Sequence, residues 1–407
     1  MTTAKENVGG GSLVAAGMVM MNAAAYLFTV AAARILAPQE FGAVTALLGI
    51  LLVGNVAALG LQASTARRLA LLRDRTADVV STTVSVTAVA ALAVGVAVAA
   101  STVVLTPMLR LDSHLPVVLC GLALVPMTIV GAQFGIAQGS ERWQLLAVIY
   151  AFAGIGRVLG GASALLISPT ATSGMLGVAV GAWLPVLIGL RLLRGSDPLH
   201  TSGHRRSFLR EAVLGSHALL AYFVLSNVDA LVARNILDAH DSGLYASGLV
   251  LAKAALFMPQ FVSVVLYPAL ARDHTSRSRR LAVSLVAGLG ALAVAATALL
   301  PQVALVLVGG EQYAEVAGRL WLFALAGSLL AIVHVLVFDA LARHAHGVVV
   351  LVWSAVAAVL VAAYTIDVHV TGLVSIVASV AAVLAVVVWL VPGESTADTT
   401  DPAPFRG

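Results

Sequence analysis

Charged residues cluster along the chain, and long uncharged stretches separate the clusters. A helix needs about 20 apolar residues to cross the hydrocarbon of a bilayer. Windows of that size predict twelve spans, near 12–33, 42–66, 79–105, 116–137, 144–168, 173–193, 211–236, 244–270, 281–308, 319–341, 347–366 and 369–391. The second to fourth spans and the last two are the clearest, being apolar without a charge. The first is too long for a removed signal peptide and lacks a small-residue cleavage site, so it predicts an anchor. After Pro392 the sequence GESTADTTDPAPFRG is polar and acidic, which predicts a disordered tail over 392–407.

Composition agrees with this pattern. The 407 residues are 60% hydrophobic and 10% charged, with a mean hydropathy of +1.01. A soluble domain carries about a quarter charged residues and cannot hide this much apolar surface in a core. A soluble enzyme, a nucleic-acid-binding module and a disordered scaffold are excluded as descriptions of the whole chain. The expectation is an all-α polytopic membrane protein of 12 transmembrane helices. Cys120 stands alone, so no intrachain disulfide can form. With a single cysteine no zinc site is readable, nor is a Walker loop or a nucleophile–base set. Neither a cofactor nor enzyme chemistry is therefore expected.

Of the 23 basic residues 21 are arginine, the usage of a high-GC genome, which suggests a bacterium. With the N-terminus inside, 17 basic residues fall on the inner side and four on the outer side. The outer four are Arg34, Arg110, Arg234 and Arg319, while Arg157 and Lys253 lie within spans. This asymmetry predicts cytoplasmic termini and a multi-pass protein of the bacterial plasma membrane. Topology alone accounts for most of the inner arginines, some of which could also gather anionic lipid headgroups.

An internal repeat organises the spans. AARILAPQEFGAVTALL begins at Ala32, and VARNILDAHDSGLYASGLVL follows about 200 residues later at the end of the seventh span. Arg34 aligns with Arg234, and Gly42 with Gly243 after a one-residue insertion. Six spans per copy leave the halves in the same orientation, with a substrate path expected between them. The expected architecture is two six-helix bundles, 1–193 and 211–391, related by a pseudo-two-fold axis and joined by the basic linker 194–210.

At these residues the chain resembles the polysaccharide and oligosaccharide flippase branch, O-antigen-flippase-like, of the multidrug, oligosaccharidyl-lipid and polysaccharide exporter superfamily. The resemblance rests on ARILAPQEFG, SNVDALVARNILDAHDSGLYASG, VVLYPALARD and LLPQVALVLVGGEQYAEVA, in that order. It implies translocation of a polyprenyl-diphosphate-linked glycan from the inner to the outer leaflet. It also implies a glycan polymerase or glycosyltransferases as partners. The related lipid II flippases usually add two helices and carry arginines on the first two, which this chain does not.

Such a cargo needs cations for phosphate and amides or hydroxyls for sugar, because each unpaired polar group costs several kcal/mol in hydrocarbon. Arg157 sits mid-membrane and shares a face with Tyr150, Gly154 and Gly161, small neighbours that would leave room for a headgroup. It reads as a phosphate fork or as a structural arginine bonded to carbonyls. Lys253 and Asp229 lie at matching depth and could pair, either as packing or as a switch that substrate or a cation releases. Tyr222, Ser226 and Asp229 form one stripe beside Asn227. In the lipid II relatives a sodium site uses acids of the C-terminal helices, which implies Asp229 and Asp367 as ion-coupling residues for H+ or Na+. Asn55 and Gln62, seven residues apart on one face, could bind sugar but favour interhelical bonding, as does Asn22. Pro126, Pro259 and Pro301 permit kinks, and Asp339 reads as an interface residue. Two rivals remain, a multidrug or cation antiporter of the same superfamily and a non-transporting partner of a glycan-assembly complex. The first wants buried carboxylates, yet the first six spans hold no Asp or Glu.

Overall fold

Where the chain enters hydrocarbon, its backbone hydrogen bonds must close within the segment, so the uncharged runs have to be helices. The computed structural model describes residues 2–72, 74, 76–193, 205–257, 276–342 and 347–391, and among these there is no strand. Eleven segments of the described residues are helical, long and apolar enough to cross a membrane. The expected 244–270 span is described only in its first part. Its remainder, with Pro259 and VVLYPALARD, lies outside the described residues, as do 194–204 of the linker, the tail 392–407, and Arg73, Arg75, Arg272 and Arg343.

The first span is α1 (Thr2–Ile35) and the second is α2 (Pro38–Gly54) with α3 (Val56–Leu71), separated at Asn55. Then come α4 (Thr76–Ala100), the short α5 (Thr102–Met108) and α6 (Leu115–Gly139), which runs unbroken through Pro126. The fifth span is α7 (Trp143–Arg157), a π turn over Val158–Ala162 and α8 (Ser163–Ile167). The sixth is α9 (Ala171–Gly181) with α10 (Trp183–Gly189). The second half repeats the series with α11 (Arg205–Leu225), α12 (Val228–Ile236) and α13 (Ala239–Leu256). It ends with α14 (Ser276–Leu299), α15 (Pro301–Val308), α16 (Leu320–Ala342), α17 (Gly347–Thr365) and α18 (Val370–Leu390).

Two expectations change in detail. The spans expected at 79–105 and 281–308 are each two helices, a long one followed by a short one. Pro301 does not kink a continuous helix; it occupies the first turn of α15, where its missing N–H costs nothing. The repeated segments start their helices by different chemistry. Pro38 opens α2, whereas the Asp238 side chain caps α13 by accepting from the Asp241 N–H at 2.8 Å.

Packing partners correspond between the halves. In the first, α1 meets α7, α3 and α4 meet α6, and α6 meets α9; in the second, α11 meets α17, α13 and α14 meet α16, and α16 meets α18. The halves join where α2 meets α12 and α13, and where α3 meets α11. Glycines bring these backbones close. A Cβ on Gly42 would lie 2.9 Å from Ser242 Oγ and 3.3 Å from Gly243 N, so the two glycines aligned in the repeat meet at this seam. Further inward Gly49 lies against Asn227, and Gly60 against Ala212 and Ser216.

Lipid tails are as apolar as leucine, so helices in a bilayer associate through close packing of small residues more than through hydrophobic burial. The fifth and sixth spans show this most tightly. A Cβ on Gly156 would strike Gly181 O, one on Gly160 would strike Gly177 O, and both contacts are reciprocal. Gly177→Val should therefore destabilise the purified protein by about 1–3 kcal/mol, the usual penalty of overpacking. Gly288→Ala, with nothing within 4 Å of the added carbon, should melt like the parent in the same detergent.

Candidate functional site

Two cations enter the membrane interior, and the structure treats them differently. Lys253, near the end of α13, reaches the break between α11 and α12, where Ser226 and Asn227 leave the helix. Its ammonium donates to Ser226 O and, at 2.8 Å, to Asn227 Oδ1. Asn227 is oriented by donating to Phe223 O at 2.7 Å and to Ser226 Oγ at 3.2 Å. The lysine thus supplies the donors that the interrupted helix fails to provide for itself.

Asp229 follows in the first turn of α12, where the helix dipole favours an anion, and it is only 3% exposed. Its Oδ2 accepts from Tyr245 OH at 3.1 Å and its Oδ1 from Ala230 N at 2.9 Å. No direct Lys253–Asp229 ion pair forms. Both line one cavity of about 10 Å³, with Ser226 and Phe323 among its walls, which is room for a water and for nothing larger. Tyr222 on the same stripe donates to Leu330 O at 3.2 Å. Asp367 lies apart from this cluster, exposed in the loop between α17 and α18.

Arg157 ends α7, immediately before the π turn, a distortion often found at functional positions. Val148 and Leu159 mark the lipid-facing side of this span, being 41% and 62% exposed. Helical spacing puts Arg157 roughly half a turn away from both. It lies instead in line with Tyr150, whose ring stacks on Phe134 with centroids 4.0 Å apart and whose hydroxyl accepts from Gln62 Nε2 at 3.1 Å. Arg157 is half-buried, and its guanidinium makes no hydrogen bond or ion pair among the described residues. The structural reading of Arg157, bonding to neighbouring carbonyls, is not what this conformation holds. The room expected beside it is not open either. Gly154 packs on Met21 and Ala24 of α1, and Gly161 packs on the Phe28 ring.

The two amides of the second span separate as well. Gln62 bridges helices, donating to Gln138 Oε1 at 3.2 Å as well as to Tyr150. Asn55 sits half-buried at the α2–α3 break, and its side chain makes no cap there. Asp339 is the interface residue its position suggests, with Oδ2 3.8 Å from Arg279 Nε, and the Arg279 guanidinium lies 4.2 Å over the Trp389 ring.

One cluster escaped the sequence reading. At the end of the seam near Gly60, Arg68 Nε donates to Glu211 Oε2 at 3.0 Å and its NH2 to Ser207 Oγ at 3.2 Å, while the guanidinium lies 4.7 Å over the Phe208 ring. Arg67 approaches the same carboxylate at 3.7 Å. These arginines do more than set topology, since they tie α3 to α11 across the seam. The signal was available in Glu211, an acidic residue within a basic segment, but its partner is distant in sequence.

A family model described as polysaccharide biosynthesis protein matches residues 8–274. A search of the curated proteins finds no match. Among solved structures, the lipid II flippase MurJ in an inward closed conformation aligns with TM-score 0.73 at 10% identity, covering 93% of this chain and 86% of that one. A multidrug resistance MATE family transporter of the MOP superfamily, in an inward-facing conformation, aligns with TM-score 0.70 at 12% identity, covering 90% and 92%. An outward-facing MATE family transporter aligns with TM-score 0.62 at 12% identity, covering 94% of each chain. These likenesses establish a shared helical fold.

The Lys253 cluster predicts a measurable coupling. Lys253→Met leaves Ser226 O and Asn227 unmatched and should cost about 1.5–3 kcal/mol, the range for hydrogen bonds to charged groups. In a double-mutant cycle with Asn227→Ala, detergent unfolding should show an interaction of about 0.5–3 kcal/mol. Strict additivity would mean that the contact carries no stability.

Proposed function

The chain belongs to the polysaccharide biosynthesis protein family, and from that premise we propose that it is a flippase carrying a polyprenyl-diphosphate-linked oligosaccharide or polysaccharide precursor across the plasma membrane. The observation that carries the reading is Arg157, a guanidinium on the inward side of a membrane helix without a protein partner among the described residues. A cation kept unpaired at this depth costs roughly 2.5–3.5 kcal/mol on insertion scales. A diphosphate would offset that cost, since planar guanidinium and phosphate oxygens match as a two-pronged charge-assisted contact.

Lys253 has a different part in this proposal. Held by Ser226 O and Asn227, it first meets substrate only when the break in the seventh span rearranges. Asn55, without a side-chain partner among the described residues at the matching break of the second span, is the amide better placed for a sugar hydroxyl, whereas Gln62 is occupied. Asp229 serves as the coupling carboxylate for a proton or sodium ion, with Tyr245 as its gatekeeper. Asp367, exposed, is at most a peripheral member of that set.

Transport proceeds by alternating access. The seam is in contact near both ends, at Gly42 and at Gly60, so a glycan passes only when the halves separate. The membrane potential supplies about 2.3 kcal/mol per charge per 100 mV. A headgroup with about two negative charges leaving an inside-negative cell would gain roughly twice that. A multidrug antiporter fits less well, because the carboxylates Glu40 and Asp78 stand in the first turns of α2 and α4 and leave the middles of the first six spans without one for a cationic drug.

Arg157→Ala, assayed by complementation of a flippase-deficient strain or by flipping in vesicles, should lower export at least about tenfold, the equivalent of one charge-assisted contact. Arg157→Lys should keep part of the activity. Undiminished export by Arg157→Ala at normal expression would remove this residue from the site.

A further inference from the structure

The arginines aligned by the internal repeat, Arg34 and Arg234, stand at the outer ends of α1 and α12. Each hydrogen-bonds across the seam to the loop that ends the short helix of the opposite half. Arg34 donates through NH2 to Val306 O at 2.8 Å, near the end of α15. Arg234 donates through Nε to Leu109 O at 2.8 Å and through NH2 to Arg110 O at 3.2 Å, just beyond α5. Its remaining nitrogen donates to Ser242 Oγ at 3.1 Å, the hydroxyl that also touches Gly42 at the seam.

Each contact is returned from the other side. Arg110 NH1 donates to Leu237 O at 2.8 Å, the carbonyl just after α12. Gln312 donates to Ala33 O, and Tyr313 OH donates to the same oxygen at 3.0 Å, at the end of α1. The loops that receive the arginines turn through left-handed backbone. Arg110 has φ 49°, Gly309 has φ 136° and Gly310 has φ 96°. Gly309 also has to be small, since a Cβ there would lie 3.0 Å from Ala33 Cβ.

The two clasps are unequal. Arg234 is 4% exposed with three acceptors, whereas Arg34 is exposed with one. Carbonyls at a helix end have no intrahelical donor, and in hydrocarbon or at its edge they need one. Separating the halves on the outer side strips those donors away on both flanks at once.

We propose that Arg34 and Arg234 form a reciprocal outer gate, two repeat-related clasps that hold the outward side shut and must both release before the passage opens outward, with Arg234 the stronger. The gate belongs to the seam and acts on whatever cargo the passage carries.

Access to the seam from outside tests it without an export assay. In a Cys120→Ser background, Gly49→Cys places a thiol against Asn227, with 3.5 Å of ordinary contact for its Cβ. A membrane-impermeant maleimide applied to intact cells reaches this thiol only when the outer side opens. Arg234→Ala should raise the labelling rate about tenfold, as expected when charge-assisted bonds leave the closed state alone. Arg34→Ala should raise it less, the double variant more than either, and Arg234→Lys should fall between Arg234→Ala and the parent. Arg319→Ala, which removes an outer charge outside the clasps, should leave it unchanged. Parental labelling in Arg34→Ala, Arg234→Lys and the double variant overturns the gate, as does an equal rise in Arg319→Ala. If Arg234→Ala alone does not fold, the milder Arg234→Lys and the exposed Arg34→Ala still decide the question.

Discussion

A polar group inside hydrocarbon has no water to fall back on, and the interior of this protein is arranged around that constraint. Every helix that breaks within the membrane exposes backbone carbonyls, and every break creates a demand for donors. At the seventh span the demand at Ser226 is met by Lys253 from the next helix. At the span ends near Gly42 it is met by Arg34, Arg110 and Arg234 from the opposite half. Cations that look in sequence like a generic topology signal are in the structure donors assigned to particular carbonyls.

Against that background Arg157, without a partner among the described residues, stands out. Its neighbours on the fifth span are glycines that let backbones touch, so the helix is fixed by α1 and by the sixth span while the guanidinium stays uncommitted. A rigid helix holding a free cation differs from a flexible charge, because little ordering cost remains when an anionic ligand arrives. The π turn that follows Arg157 itself carries two of these contacts, Gly160 on Gly177 and Gly161 on Phe28.

The seam between the halves combines two kinds of contact with different temperature and ionic behaviour. Its middle is glycine and small-residue packing, which is short-ranged and fails abruptly once the backbones part. Charge-assisted contacts flank it, with Arg68, Glu211 and Phe208 beyond Gly60 and the arginine clasps beside Gly42. Such a seam has few intermediate states.

Much of the architecture was legible because burial in lipid leaves so few options. Twenty-residue uncharged runs have to be helices, and six-span periodicity with Arg34 over Arg234 and Gly42 over Gly243 already paired the halves. The placing of Asp339 at an interface and of Gln62 as an interhelical bridge followed from depth and residue type alone. The partners of the charged groups did not follow. Lys253 chose Ser226 O and Asn227 in place of Asp229 because a helix break lay within its reach, and sequence does not reveal where a helix will break. Gly154 and Gly161 promised space beside Arg157, but small residues in a bilayer attract helices, and Phe28 took the room. Sequence by itself determined the helical membrane class and where most spans fall, because those depend on composition and period. Only the tertiary structure decided which cation is bound and which has no partner among the described residues, because that depends on donors and acceptors brought together from segments as many as 281 residues apart.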